Sequence, residues 1–207
     1  MSRTFDHITR RTIMERCAAF VRLPVSEPAP ALKRAAVTIA LVEDSGAPAL
    51  LLTLRAASLR THSNQWALPG GRCDAGETAV AAGLRELREE LGLELGAGDV
   101  LGLLDDYPTR SGYLITPVVV WAESSSALVP NPEEVASVHH IALAEIEKAD
   151  AFDFVAIAES ARRVIRFHHA GRLIHAPTAA LIYQFREVLA GRDTRVTELE
   201  QPVFAWK

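Results

Sequence analysis

Apolar residues form short continuous runs in some parts of the chain and recur every three or four positions in another, and each pattern predicts a kind of element. Two short apolar runs, residues 35–42 and 49–54, are separated by residues 43–46, Glu-Asp-Ser-Gly. This composition favours a tight turn, so the runs predict an antiparallel pair of strands. Short apolar runs predict further strands at residues 100–104, 114–122 and 135–141.

From Thr78 to Leu91 the apolar residues return every three or four positions, at Val80, Leu84, Leu87 and Leu91. This is the period of a helix with one apolar face. Gly92 follows where a left-handed C-terminal cap would lie. One amphipathic helix is therefore predicted.

The two ends of the chain differ from this central part. A short helix is predicted up to about Phe20, and three prolines make residues 23–30 an extended linker. The later chain predicts helical structure at residues 143–150, a hairpin of 164–167 with 172–174, and a helix at 178–190. We therefore divide the chain into an extension and linker (1–34), a core (35–153) and a helical and hairpin segment packing on that core (154–207). Strands interleaved with a few helices predict an α/β (α+β) fold with a mixed sheet.

Composition narrows the class of protein. The 207 residues are 49% hydrophobic and 23% charged, which is typical of a folded globular chain. The formal net charge of −4 provides no field that would collect nucleic acid. The apolar runs are shorter than the roughly 20 residues of a membrane helix, and no signal peptide is evident. We expect a cytoplasmic protein that binds neither nucleic acid nor membrane.

Three glutamates of the central helix, Glu86, Glu89 and Glu90, are related by three and four residues and therefore share one face. Crowded carboxylates repel one another, and a hard cation such as magnesium would offset that repulsion. The alternative is a solvated surface with an ordinary pair between Arg85 and Glu89, and the spacing alone leaves both open. The preceding Leu68-Pro69-Gly70-Gly71 favours the first, because it brings flexible backbone to the start of the helix.

Residues 71–93 resemble a complete Nudix box: glycine, five residues, Glu77, seven residues, Arg-Glu, an aliphatic residue, one residue, Glu-Glu, one residue, glycine and an aliphatic residue. The resemblance implies an α/β/α sandwich. It also implies hydrolysis of a small molecule in which a nucleoside diphosphate is linked to another moiety. The implied cofactor is Mg²⁺, with Mn²⁺ as an alternative.

The resemblance also implies roles for individual residues. Glu86 and Glu90 are expected to be the main metal ligands, with Glu89 and the Gly71 carbonyl as further ligands. Arg85 is expected to orient the glutamates, and Glu77 to be an outer member of the cluster that contacts substrate. Glu86, Arg85 and Glu89 are thus the expected catalytic residues.

The base that takes the proton of the attacking water is left open by the sequence. Glu86 is the first candidate, because the family uses either a box glutamate or one from a later loop. Glu133 and Glu134, in Pro-Asn-Pro-Glu-Glu, are the loop alternatives, and they could equally be surface charges after a turn.

A second motif, residues 51–71, resembles that of the coenzyme A diphosphatase branch of the family, with Leu-Leu-Thr, two arginines and Pro-Gly-Gly. It departs from the branch at Asn64, usually glycine, and at Leu68, usually phenylalanine. Arg55 and Arg60 are expected to meet phosphate outside the cleaved diphosphate, and Gly70 to line the substrate site.

The implied reaction is cleavage of coenzyme A or acyl-coenzyme A to 3′,5′-ADP and (acyl-)4′-phosphopantetheine. The alternatives are an ADP-ribose or dinucleoside polyphosphate hydrolase and, from another class, a non-catalytic nucleotide-binding module. The sequence leaves open whether the C-terminal segment packs on the core or forms a homodimer contact.

Overall fold

The computed structural model describes residues 3–23, 32–57, 65–123 and 128–203. Its helices are α1 (His7–Ala19), α2 (Ala79–Leu91), α3 (Leu143–Ile146) and α4 (Thr178–Leu189). Its strands are β1 (Lys33–Asp44), β2 (Ala47–Arg55), β3 (Trp66–Ala67), β4 (Gly70–Arg72), β5 (Val100–Leu103), β6 (Tyr107–Pro108), β7 (Tyr113–Trp121), β8 (Val135–Ala142), β9 (Phe152–Ile157), β10 (Ser160–His169) and β11 (Arg172–His175). A short 3-10 turn covers Ala97–Asp99.

The larger sheet has eight strands within the described residues, with β3-β2-β1-β7-β5 as its main path. β4, β6 and β8 pair with β1, β7 and β2 respectively. β1 and β7 run parallel, while the other pairs of this sheet are antiparallel. The sheet is therefore mixed, as the sequence predicts.

Helices cover both faces of this sheet. Leu87 and Leu91 of α2 pack with Leu51 and Val118 on one face. On the opposite face a larger apolar cluster joins side chains of α1, α4 and the second sheet, β9-β10-β11. The arrangement is an α/β/α sandwich, which confirms the predicted fold class. The predicted boundary at residue 153 falls inside β9.

The main helix follows its sequence signals. The Thr78 side chain caps α2 by accepting a hydrogen bond from Ala81 N at 3.1 Å. Gly92 ends it at a φ of 67°, as the left-handed cap requires. None of the described helices has both the length and the apolar character needed to cross a bilayer.

Some local predictions need correction. The helix predicted at residues 143–150 ends at Ile146. The expectation of flexible backbone is wrong at Gly70 and Gly71, because β4 pairs there with residues 35–37 of β1. Strands β3, β4, β6 and β9 were not predicted, since three of them have only two or three residues and take their form from their partners.

One of the contacts that join the C-terminal segment to the rest of the fold is made by a buried carboxylate, that of Glu200. Glu200 accepts hydrogen bonds from Arg110 Nε at 3.1 Å, from Ser160 Oγ at 2.8 Å and from Gln201 N at 3.0 Å. The Arg110 hydrogen bonds are the main reason that the pKa of Glu200 falls to about 2. The ionised carboxylate is therefore favoured in the folded state.

We expect Glu200→Gln to lower Tm at pH 7. A carboxyl group whose pKa is lowered by folding stabilises the fold at pH values above its pKa in the unfolded chain. That stability is lost as the pH falls from about 4.5 towards 2. Thermal melts between pH 7 and 3 should therefore show the difference from wild type shrinking with acidity. Glu198→Gln is the control, because its pair with Arg162 is exposed. A difference that stays constant with pH would contradict this assignment.

Candidate active site

The residues predicted from the box meet where α2 faces β4. Arg85 lies at the centre, and each nitrogen atom of its guanidinium donates hydrogen bonds to the surrounding residues. Its Nε donates to Glu77 at 3.0 Å, and its Nη1 donates to Glu86 at 2.8 Å and to Glu89 at 3.0 Å. Nη2 donates to the Arg72 carbonyl at 3.0 Å and to the second oxygen of Glu77 at 3.1 Å. One guanidinium therefore links three carboxylates to β4.

Glu90 is the most enclosed carboxylate of the group, with 2% of the residue exposed. Gly70 N donates to its Oε2 at 3.1 Å, and Arg55 Nη1 lies 3.5 Å from its Oε1. Burial is the main reason that the pKa of Glu90 rises to about 7; the Gly70 hydrogen bond and the Arg55 charge oppose this rise, and the charges of Glu86 and Glu134 add to it. Because the contacts with Gly70 and Arg55 do not offset the cost of burying its charge, the Glu90 carboxylate favours a further cationic partner.

Glu86 is half-buried and lies against the backbone of Gly71. A Cβ atom built on Gly71 would be 2.4 Å from Glu86 Oε1, so only glycine leaves room for this carboxylate. Burial also raises the pKa of Glu86, while its hydrogen bond with Arg85 lowers it. Gly71 and Glu86 are thus in contact because residue 71 has no side chain.

The two loop glutamates differ in position. Glu134 is half-buried, and its charge acts on both Glu86 and Glu90. Asn131 Nδ2 donates to Glu134 at 3.3 Å, and Asn131 N donates to the Glu90 carbonyl at 2.8 Å. Glu133 is exposed on the same turn. Sequence reasoning missed Asn131, although its position between two prolines is a signal for such a turn.

The donor atoms suit a hard divalent cation in kind, because they are carboxylate oxygens. Within the described residues no three His, Cys, Asp or Glu side chains already converge as metal ligands. Arg85 instead binds Glu86 Oε1 and Glu89 Oε2. An ion would therefore share these carboxylates with Arg85 and relieve the repulsion around Glu90.

The second motif is only partly visible. Arg60 and Asn64 lie outside the described residues. Leu68 is buried in the core, so its apolar contact is retained. Trp66 packs partly buried beside His139, with ring centroids 4.5 Å apart, on the face of the sheet opposite α2. Trp66 therefore packs against the core on that face.

The sandwich fold and the glutamates of α2 are those of a class of α/β/α hydrolases. Comparisons with known proteins identify the same class. A family model for the NUDIX domain matches residues 32–160. An uncharacterized Nudix hydrolase NudL of Photorhabdus laumondii is 34% identical over 143 residues, which are 68% of this chain and 76% of that protein. One from Cronobacter sakazakii is 40% identical over 114 residues, 55% of this chain and 59% of that protein.

A solved structure has the same fold. The Nudix hydrolase RenU from M. smegmatis superimposes with a TM-score of 0.50 at 24% identity, covering 76% of this chain and 86% of RenU. The chain belongs to the Nudix family of hydrolases, as the box predicts. Enzymes of this family use a divalent metal ion and act on small molecules that contain a nucleotide.

Proposed function

We propose that this protein is a magnesium-dependent diphosphate hydrolase that cleaves coenzyme A or acyl-coenzyme A. The observation that carries the hydrolase activity is the buried Glu90 carboxylate, which shares its surroundings with Glu86 and Glu134. The assignment of coenzyme A as the substrate is supported by the Leu-Leu-Thr and Pro-Gly-Gly motif with its two arginines. Mn²⁺ has the same preference for oxygen ligands and is the alternative ion.

The metal would be held by Glu86 and Glu90, with Glu89 and the Gly71 carbonyl as further ligands. When bound, a divalent ion neutralises diphosphate oxygens and lowers the pKa of water. Arg85 fixes the carboxylates by its forked hydrogen bonds, which lysine could not reproduce.

The chain's carboxylates also supply the base. Glu86 Oε1 accepts a hydrogen bond from Arg85, which stabilises its ionised form and weakens it as a base. Glu134 faces the same cluster without a contact to Arg85 among the described residues. These contacts favour Glu134 over the exposed Glu133 as the loop candidate, with Glu86 as the box candidate. Glu77, which Arg85 holds in place, and Gly70 would contact the substrate.

We expect coenzyme A to be a better substrate than dephospho-coenzyme A and ADP-ribose. Losing a contact to a charged phosphate costs about 1.5–3 kcal/mol, so removing the 3′-phosphate should lower kcat/KM by roughly tenfold or more. Chromatography should detect 3′,5′-ADP and 4′-phosphopantetheine as products.

The same assay separates the alternatives. Equal or better cleavage of ADP-ribose would contradict the coenzyme A assignment but not the hydrolase activity. An absence of hydrolysis of any of these diphosphates, with Mg²⁺ or Mn²⁺ present, would indicate a binding module instead.

A further inference from the structure

The Arg55 guanidinium lies on the same side of the sheet as the box glutamates. Arg55 ends β2, and its Nη1 is 3.5 Å from Glu90 Oε1. The Arg55 side chain is 23% exposed, whereas that of Glu90 is 3% exposed. Arg55 therefore reaches from the buried carboxylate towards solvent.

Arg55 also has hydrogen-bonding capacity that the described residues do not use. A guanidinium carries five N–H donors. Arg85 directs Nε, Nη1 and Nη2 to protein acceptors. Arg55 Nε, in contrast, is enclosed from solvent and has no hydrogen-bond partner among the described residues, and its contact with Glu90 is long. Because the contact with Glu90 is long and the side chain is 23% exposed, the guanidinium is suited to an additional anionic partner that approaches from solvent.

The charges around Arg55 indicate what that anion is. Glu86, Glu90 and Glu134 repel an incoming diphosphate, and the charge of Arg85 is already paired with carboxylates. Arg55 is the cation beside Glu90 that retains unpaired donors within the described residues. A diphosphate that binds a metal ion held by Glu90 would therefore lie next to Arg55.

We propose that Arg55 binds the diphosphate that is cleaved, and not an outlying phosphate of the substrate. This replaces the sequence-based expectation that Arg55 and Arg60 share the outlying phosphate, and it leaves that contact to other residues. The inference rests on the proposed diphosphate hydrolase function, but it does not depend on coenzyme A being the substrate.

The test compares Arg55→Gln and Arg55→Lys with Arg88→Gln, whose arginine is exposed on α2. Calorimetry measures the binding of Mn²⁺ alone and then of imidodiphosphate, a diphosphate that is not hydrolysed, at saturating Mn²⁺. We expect Arg55→Gln to bind Mn²⁺ within about threefold of wild type and imidodiphosphate about tenfold or more weakly. Arg55→Lys should be intermediate, because it keeps the charge but loses the fork. Arg88→Gln should bind both like wild type.

Steady-state kinetics give the second readout. The kcat/KM values for coenzyme A and dephospho-coenzyme A should fall by the same factor in Arg55→Gln, so that their ratio is unchanged. Unaltered imidodiphosphate binding with a ratio that drops to one would assign Arg55 to the 3′-phosphate and overturn the proposal. Loss of Mn²⁺ binding would instead show that Arg55 only holds Glu90. If the wild type does not cleave coenzyme A, imidodiphosphate binding still decides the role of Arg55.

Discussion

Replacing Glu86 or Glu90 by glutamine should lower turnover by roughly 100-fold or more, equivalent to about 2.7 kcal/mol of lost transition-state stabilisation. Glutamine keeps the size of the side chain but removes the charge that would bind the metal. Glu90 is almost fully buried beside Gly70, and Glu86 contacts Gly71, so both side chains belong to the face of α2 on which the metal would bind. Initial rates in Mg²⁺ with a coenzyme A substrate provide the measurement.

Stability separates lost chemistry from lost folding in these variants. The pKa of Glu90 is raised to about 7, so its ionised form destabilises the metal-free fold increasingly as the pH rises from about 4.5 through 7. Glu90→Gln without metal should therefore have a Tm at pH 8 no lower than that of wild type. Glu94→Gln, an exposed position just after α2, is the matched control and should keep wild-type turnover. Near-normal turnover of folded Glu86→Gln or Glu90→Gln would refute the site assignment.

Two adjacent glycines should respond differently to alanine. At Gly71 the added methyl group would overlap the end of the Glu86 side chain, 2.4 Å away, and that carboxylate can move. At Gly70 it would lie 2.2 Å from the Ala36 carbonyl oxygen, which is sheet backbone, and the φ of 152° disfavours any side chain. Gly71→Ala should therefore lose activity, about 10–100-fold through displacement of one carboxylate, while the fold remains. Gly70→Ala should lose stability, because strained backbone alone costs about 1–3 kcal/mol.

Thermal melts and initial rates on both variants make the comparison. Gly76→Ala is a control for the intrinsic cost of alanine at positive φ, because its φ is 79° and a Cβ atom there meets nothing within 4 Å. A Gly71→Ala variant that melts as early as Gly70→Ala would show that Glu86 cannot move. Full activity in Gly71→Ala would show that the position of the Glu86 carboxylate is unimportant for turnover.

The sequence alone determined the elements whose signals are local. The turn at residues 43–46 predicted the β1-β2 hairpin, and the 3.6-residue period with Gly92 predicted α2 to within one residue. The box placed Glu86, Glu89 and Glu90 on one helix face because the helical repeat fixes which residues are neighbours. It also identified the family, since a fixed spacing of glycine, arginine and glutamate can be read without coordinates.

Only the tertiary structure decided what lies across from that helix. β4 is a strand because β1 supplies its hydrogen-bond partners, and its three residues carry too little pattern to predict one. The contact of Arg55 with Glu90 joins β2 to α2 over 35 positions of sequence, and no local rule specifies it. Glu134 is distinguished from Glu133 in the same way, because one packs towards the carboxylates and the other faces solvent. Helical spacing is set by neighbouring backbone, whereas contacts between elements depend on how the whole chain packs.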